Sequence, residues 1–135
     1  MLRKYIMPMI LSAGFLTATA ANAEQSIEGA WVIEATTWEG ETVALTAPYP
    51  VKIYSSEHFM YTYNDLAEPG ETFVGAGSYT YNDGTMTETI VDHTKRELIG
   101  EVFSFDITQS EDGQTFSQTL TFPEGTLSEV WRRLD

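Results

Sequence analysis

The residues of chemical interest are polar groups set inside apolar runs. Glu88 lies between Met86 and Ile90, and Gln118 between Phe116 and Leu120, each at two-residue spacing. Tyr61, Tyr63, Tyr79 and Tyr81 share that spacing with Phe59, and Phe103 with Phe105. Side chains alternate faces along a strand, so these polar groups face inward wherever their apolar neighbours do. A carboxylate in such a place is costly unless it is paired or hydrogen-bonded. Tyrosine hydroxyls, Gln118 or an arginine could satisfy it. In a plugged core the polar groups would form an internal hydrogen-bond network. In a hollow one they would be anchors in an aromatic wall around a ligand. In an enzyme Glu88, its pKa raised by desolvation, would be a general acid or base. Tyrosines would then stabilise an oxyanion in an isomerase or cyclase reaction. The cavity reading is favoured, with Glu88 orienting a ligand, and no catalytic residue is assigned.

Other chemistry is thinly represented. His58 and His93 are the only histidines, and with scattered acids they make a poor zinc site. A haem held by one of them has no further support. His93 sits on a threonine-rich face with Thr87 and Thr89 and reads as solvent-facing. The chain has no G-x-S-x-G, phosphate loop, dinucleotide fingerprint or EF-hand. No cofactor is expected. Cysteine is absent, which removes disulfides, thiolate metal sites, thiol nucleophiles and cysteine-linked lipid anchors.

The elements that must position these groups are strands. No segment sustains a helical period. Short alternating runs rich in Thr, Val, Ile, Tyr and Phe are separated by turns at Trp38-Glu39-Gly40-Glu41, Asn82-Asp83-Gly84, Glu111-Asp112-Gly113 and Pro123-Glu124-Gly125. Choosing the more apolar face of each run gives Trp31, Ile33 and Ala35; Val43 and Leu45; Val51 and Ile53; and Phe59, Tyr61 and Tyr63. Phe73, Tyr79 and Tyr81, then Met86, Glu88 and Ile90 follow, before Phe103, Phe105 and Ile107, and Phe116, Gln118, Leu120 and Phe122. The last run, 127–134, carries apolar residues on both faces. Trp38 falls on the outward face of the first strand, as a surface or partner contact. The segments 64–72 and 94–100 read as loops. About eight to ten short sequential strands with tight turns predict an all-β fold. Closure removes exposed edges, so an antiparallel up-and-down barrel is preferred over an open sandwich.

The ends of the chain and its charge narrow the setting. Arg3 and Lys4 precede a mostly apolar, uncharged run over 5–20, broken by Pro8 and Gly14. Ala21-Asn22-Ala23 then supplies small residues where a signal peptidase reads them. This predicts a cleaved secretory signal over 1–23 and a folded domain over 24–135, periplasmic or secreted, without a membrane span after cleavage. The formal net charge is −13, from 7 basic and 20 acidic residues, and the leader contains no acid. Such a chain repels phosphates, which argues against nucleic acid and anionic membrane surfaces as partners.

Gly29-Ala30-Trp31 opens the first strand, and Glu129-Val130-Trp131-Arg132-Arg133-Leu134 ends the last. Between them come His58-Phe59-Met60-Tyr61, Gly75-Ala76-Gly77-Ser78-Tyr79-Thr80, Thr87-Glu88-Thr89-Ile90 and Glu97-Leu98-Ile99-Gly100, in that order. This ordered set resembles the bacterial lipocalin-like domain proteins, within the wider calycin group of barrels. The resemblance implies that Trp31 closes one end of a barrel and that a basic residue, Arg133 or alternatively Arg132, packs over it. It also draws in His58, since a histidine recurs there. The alternating pattern puts His58 outside, and a bend near Ser55-Ser56 would be needed to turn it inward. The expected function is binding of a small, largely hydrophobic molecule inside the barrel. Its contacts would be Tyr61, Tyr63, Tyr79, Tyr81, Glu88, Phe103, Phe105, Gln118 and His58. A small enzyme using Glu88 and a filled-barrel inhibitor or interaction module are the alternatives.

Overall fold

The computed structural model describes residues 26–135 except Leu66 and Pro69. The expected leader, 1–23, lies outside the described residues. The strands are β1 (Gly29–Trp38), β2 (Glu41–Thr42), β3 (Val51–Tyr54), β4 (His58–Asn64) and β5 (Thr72–Asn82), followed by β6 (Thr85–His93), β7 (Val102–Gln109), β8 (Thr115–Phe122) and β9 (Gly125–Arg133). A short 3-10 helix, Arg96–Leu98, lies between β6 and β7. β1 pairs with β3, each later strand pairs with its successor, and β9 returns to pair with β1. Eight strands therefore close an antiparallel up-and-down barrel, and the two-residue β2 adds to the end of β1. No helix among the described residues is long and apolar enough to cross a membrane.

Local chemistry sets the hairpins. At the β5–β6 turn Asp83 and Gly84 both have positive φ, 51° and 79°. Positive φ at both central residues defines the two-residue turn whose twist matches paired strands. Asn82 therefore faces Thr85, and the register places Tyr79 opposite Glu88. A second glycine serves close approach. A Cβ on Gly77 would lie 1.8 Å from the carbonyl oxygen of Thr89, a backbone atom in β6. Gly77→Ala is expected to cost about 3 kcal/mol, because the ladder itself must shift. Urea unfolding of the variant checks this, and a cost below about 1 kcal/mol would contradict it.

One end of the barrel is sealed. Trp31 is fully buried, and its indole N–H donates to the Ile27 carbonyl at 3.0 Å. Phe116 meets it edge-on at 4.7 Å. The Arg133 guanidinium lies over the Trp31 ring at 4.2 Å and donates to the carbonyls of Gly113, Glu28 and Ser26. Arg132 instead is exposed, with Glu34 at 3.8 Å.

The apolar stripes of β4, β6, β7 and most of β8 face the interior as their patterns predict, but four other expectations are corrected. In β3 the inward residues are Lys52 and Tyr54, both buried, while Ile53 is exposed beside Met60. In β1 a bulge between Ile33 and Ala35 shifts the register by one residue. A one-residue shift exchanges the two faces of a strand. Ala35 is therefore exposed, and Thr36 and Trp38 turn inward. In β6 a bulge beyond Ile90 does the same, so Asp92 is exposed and His93 is buried rather than solvent-facing. Val43 and Leu45 belong to no strand. They lie in the segment 43–50, which runs along the open end.

Candidate functional site

The end opposite Trp31 is hollow. A cavity of about 1160 Å³ opens there, walled by Tyr61, Phe103, Phe105, Leu120, Leu127 and Trp131 and bordered by 43–50. The alternation of β4, β7, β8 and β9 aims these side chains inward. The pairs Phe116–Trp131, Gln118–Glu129 and Leu120–Leu127 lie directly across the β8–β9 ladder. Tyr63 and His93 stand nearer the mouth, their rings 5.8 Å apart.

The floor carries a polar network. Lys52 and Glu88 are each 3% exposed. Lys52 Nζ donates to Gln118 Oε1 at 3.1 Å and lies 3.5 Å from Glu88 Oε2. Tyr54 donates its hydroxyl to that same Glu88 oxygen at 2.6 Å. Gln118 passes the chain on, its amide donating to Glu129 Oε1 at 2.9 Å. The Trp131 indole N–H donates to Glu129 Oε1 as well, at 3.3 Å. Burial raises the Glu129 carboxyl above the usual carboxylate range, and the Glu88 charge adds to this, while Lys52, Trp131 and Gln118 oppose it. Burial, followed by the Glu88 charge, raises the Tyr54 hydroxyl well above the usual phenol range, so it remains a donor. Burial also raises the Tyr61 hydroxyl.

At the mouth Lys95 bridges to Glu68 at 3.0 Å and to Asp65, tying the 64–72 loop to the segment after β6. The hydrogen bond from Lys95 holds the Asp65 carboxyl below the ordinary aspartate range. His93 Nδ1 accepts the Lys95 backbone N–H at 2.7 Å, which leaves the ring proton for Nε2, 3.4 Å from the Tyr63 hydroxyl. Burial and then the neighbouring Lys95 charge lower the His93 pKa, so the ring is neutral at pH 7.

The structure brings Tyr61, Tyr63, Glu88, Phe103, Phe105 and Gln118 to this cavity. It does not bring Tyr79, Tyr81 or His58. Tyr79 donates to the Ser55 carbonyl and packs edge-on against Tyr54 near the sealed end. There, with Tyr81, it borders a shallow surface depression of about 430 Å³. The two residues follow Gly77 on the inward face, but they pack against the core on the side of the sealed end and do not reach the cavity. His58 is exposed at the start of β4, next to the buried Phe59, because the bend at Ser56 and Glu57 ends before the strand and leaves its alternation intact. Trp38 lines the cavity rather than the outer surface.

Sequence reasoning missed Lys52, Glu129 and Trp131. One signal could have found Lys52. A buried Glu88 needs a cation, and after the leader the basic residues are only Lys52, Lys95, Arg96, Arg132 and Arg133. Of these, Lys52 alone sits within an alternating run. Among the described residues no group of histidine, aspartate and glutamate side chains is arranged to hold a metal ion.

Comparison with known proteins places the fold. A solved structure of an uncharacterized protein from Bacteroides eggerthii DSM 20697 superposes with a TM-score of 0.51 at 12% identity. The match covers 80% of this chain and 99% of that one. At that identity the likeness shows a shared fold alone. No family model and no curated protein matches the chain.

Proposed function

We propose that this chain is an exported, lipocalin-like protein that holds a small, largely hydrophobic molecule in its barrel. One observation carries the reading: the barrel is hollow at one end, and the hollow has an aromatic and aliphatic wall above an ordered polar floor. Drug-sized ligands occupy pockets of about 300–1,000 Å³ with such walls and a few oriented polar groups. An inhibitor or interaction module would have no need of the space. Export is supported by the leader pattern in 1–23, and the acidic surface suits a soluble carrier.

A second reading, acid–base catalysis, is favoured by one feature. Glu129 combines a lumen-lining position with a carboxyl held above its ordinary range. Glu88, the carboxylate singled out by its place in the chain, is instead tied at one oxygen by Tyr54 and Lys52. The binding reading needs no reaction and accounts for the whole cavity.

The test is a fluorescence titration with N-phenyl-1-naphthylamine, an uncharged probe that brightens in apolar surroundings. The chain is expected to bind one equivalent saturably. Leu120→Trp, which fills the lumen from β8, is expected to weaken binding at least about tenfold, equivalent to about 1.4 kcal/mol. Circular dichroism would verify that the variant is folded. A folded wild-type chain with no saturable uptake would overturn the reading.

A further inference from the structure

Resting on that binding reading, we infer the chemical class of the ligand: a cationic amphiphile, with an apolar body in the lumen and one protonated amine directed at Glu129 and Glu88. The charges that line the cavity point to this class. Its ionisable lining comprises Lys52, Lys95, Asp65, Glu88, Glu124 and Glu129, four acids against two bases. Both bases are already engaged. Lys95 is held by Asp65 and Glu68 at the mouth. Lys52 is held by Glu88 and Gln118 at the floor. An anionic head group entering this space finds no free cation among the described residues, and it meets carboxylates of its own sign.

The acceptors, by contrast, are incompletely used. Tyr54 and Lys52 both approach Oε2 of Glu88, and among the described residues nothing donates to its Oε1. Gln118 and Trp131 both donate to Oε1 of Glu129, and nothing among the described residues donates to its Oε2. Glu88 is 3% exposed and lines the cavity. A buried carboxylate oxygen without a donor is expensive, and a ligand N–H is the group that relieves it. A cation's charge also offsets the second carboxylate, which Lys52 alone cannot balance.

The surroundings suit a cation for a further reason. The Lys52 ammonium lies 5.3 Å from the ring centres of Phe105 and Trp131, 5.6 Å from Tyr54 and 5.8 Å from Tyr61. Aromatic faces attract cations through the ring quadrupole. Tyr61, Phe105 and Trp131 also line the lumen, so a second ammonium there has the same kind of wall. The net charge of −13 would draw a cation toward the mouth from solution.

Three probes with one body and different heads test the inference: 4-phenylbutylamine, 4-phenylbutanol and 4-phenylbutyrate, titrated calorimetrically into the chain at pH 7 and low salt. The amine is expected to bind at least about tenfold tighter than the alcohol, as a charge-assisted hydrogen bond allows, and the carboxylate weaker than both. In Glu129→Gln the amine-to-alcohol ratio is expected to fall toward one. That substitution keeps the acceptor used by Gln118 and Trp131, so the fold survives it. Glu88→Gln gives the second reading of the same ratio. A carboxylate that binds as well as the amine, or an amine preference unchanged in both variants, would overturn the inference. If the alcohol or N-phenyl-1-naphthylamine binds while the amine gains nothing, the cationic class falls and the hydrophobic pocket stands. If no probe binds, the naphthylamine included, both fall.

Discussion

Lys52→Met is expected to destabilise the barrel by about 3–5 kcal/mol, the cost of removing one partner of a buried ion pair. The side chain is nearly the right length and fully apolar, so packing changes little. The loss is electrostatic. Glu88 remains 3% exposed with only the Tyr54 hydroxyl to stabilise its charge, and Gln118 loses the donor to its Oε1. Glu129, already disfavoured as an anion by burial, loses the cation that opposes that shift. For a domain of this size the melting temperature should fall by roughly 10–20 °C. The double variant Lys52→Met, Glu88→Met separates this cause from lost packing. Replacing a whole buried pair by apolar groups is often neutral, so the double variant is expected to regain most of the loss. A double variant as unstable as the single one would show that the loss does not come from an unpaired Glu88 charge but from the lysine's other contacts, Gln118 and Glu129 included.

Trp31→Ala is expected to cost a further, independent 3–5 kcal/mol or so, the range for deleting a large buried aromatic side chain. Trp31 is 0% exposed and is held on all sides. Its removal strips Phe116 of an edge contact and Arg133 of the ring beneath its guanidinium. It also takes the indole donor from the Ile27 carbonyl. Arg133 still has its carbonyl acceptors, so the variant keeps a tether between the last strand and 26–28. Urea unfolding monitored by far-ultraviolet dichroism would measure the cost. A loss below about 1 kcal/mol would mean that the sealed end is held by Arg133 and not by the indole.

The fold was legible where the period of two ran undisturbed. Phe59-Tyr61-Tyr63, Met86-Glu88-Ile90 and Phe103-Phe105-Ile107 each predicted the inner face of a strand, and each faces the interior. Glu88 and Gln118 were visible as polar interruptions of those stripes. What failed did so for two physical reasons. A bulge changes the face of every later residue in its strand, which is why plain alternation puts Trp38 and His93 outward while both lie inward. Nothing in the local composition marks the bulged residue. The other reason is that the more apolar face need not be the buried one. In Val51-Lys52-Ile53-Tyr54 the core takes the lysine, because a buried glutamate and glutamine across the barrel need its protons. That pairing joins β3, β6 and β8, and no pattern within one strand reports it. The closing strand carried apolar residues on both faces, so Glu129 and Trp131 became assignable only from their partners in β8.

The most direct measurement is native mass spectrometry of the chain, purified without denaturation and then mixed with a small excess of N-phenyl-1-naphthylamine. A hollow barrel that carries a small apolar molecule predicts one added mass per chain, either the probe or a copurified compound, lost when the protein is unfolded. A folded chain that keeps its bare mass throughout would contradict the account, and the interior would then serve the fold alone.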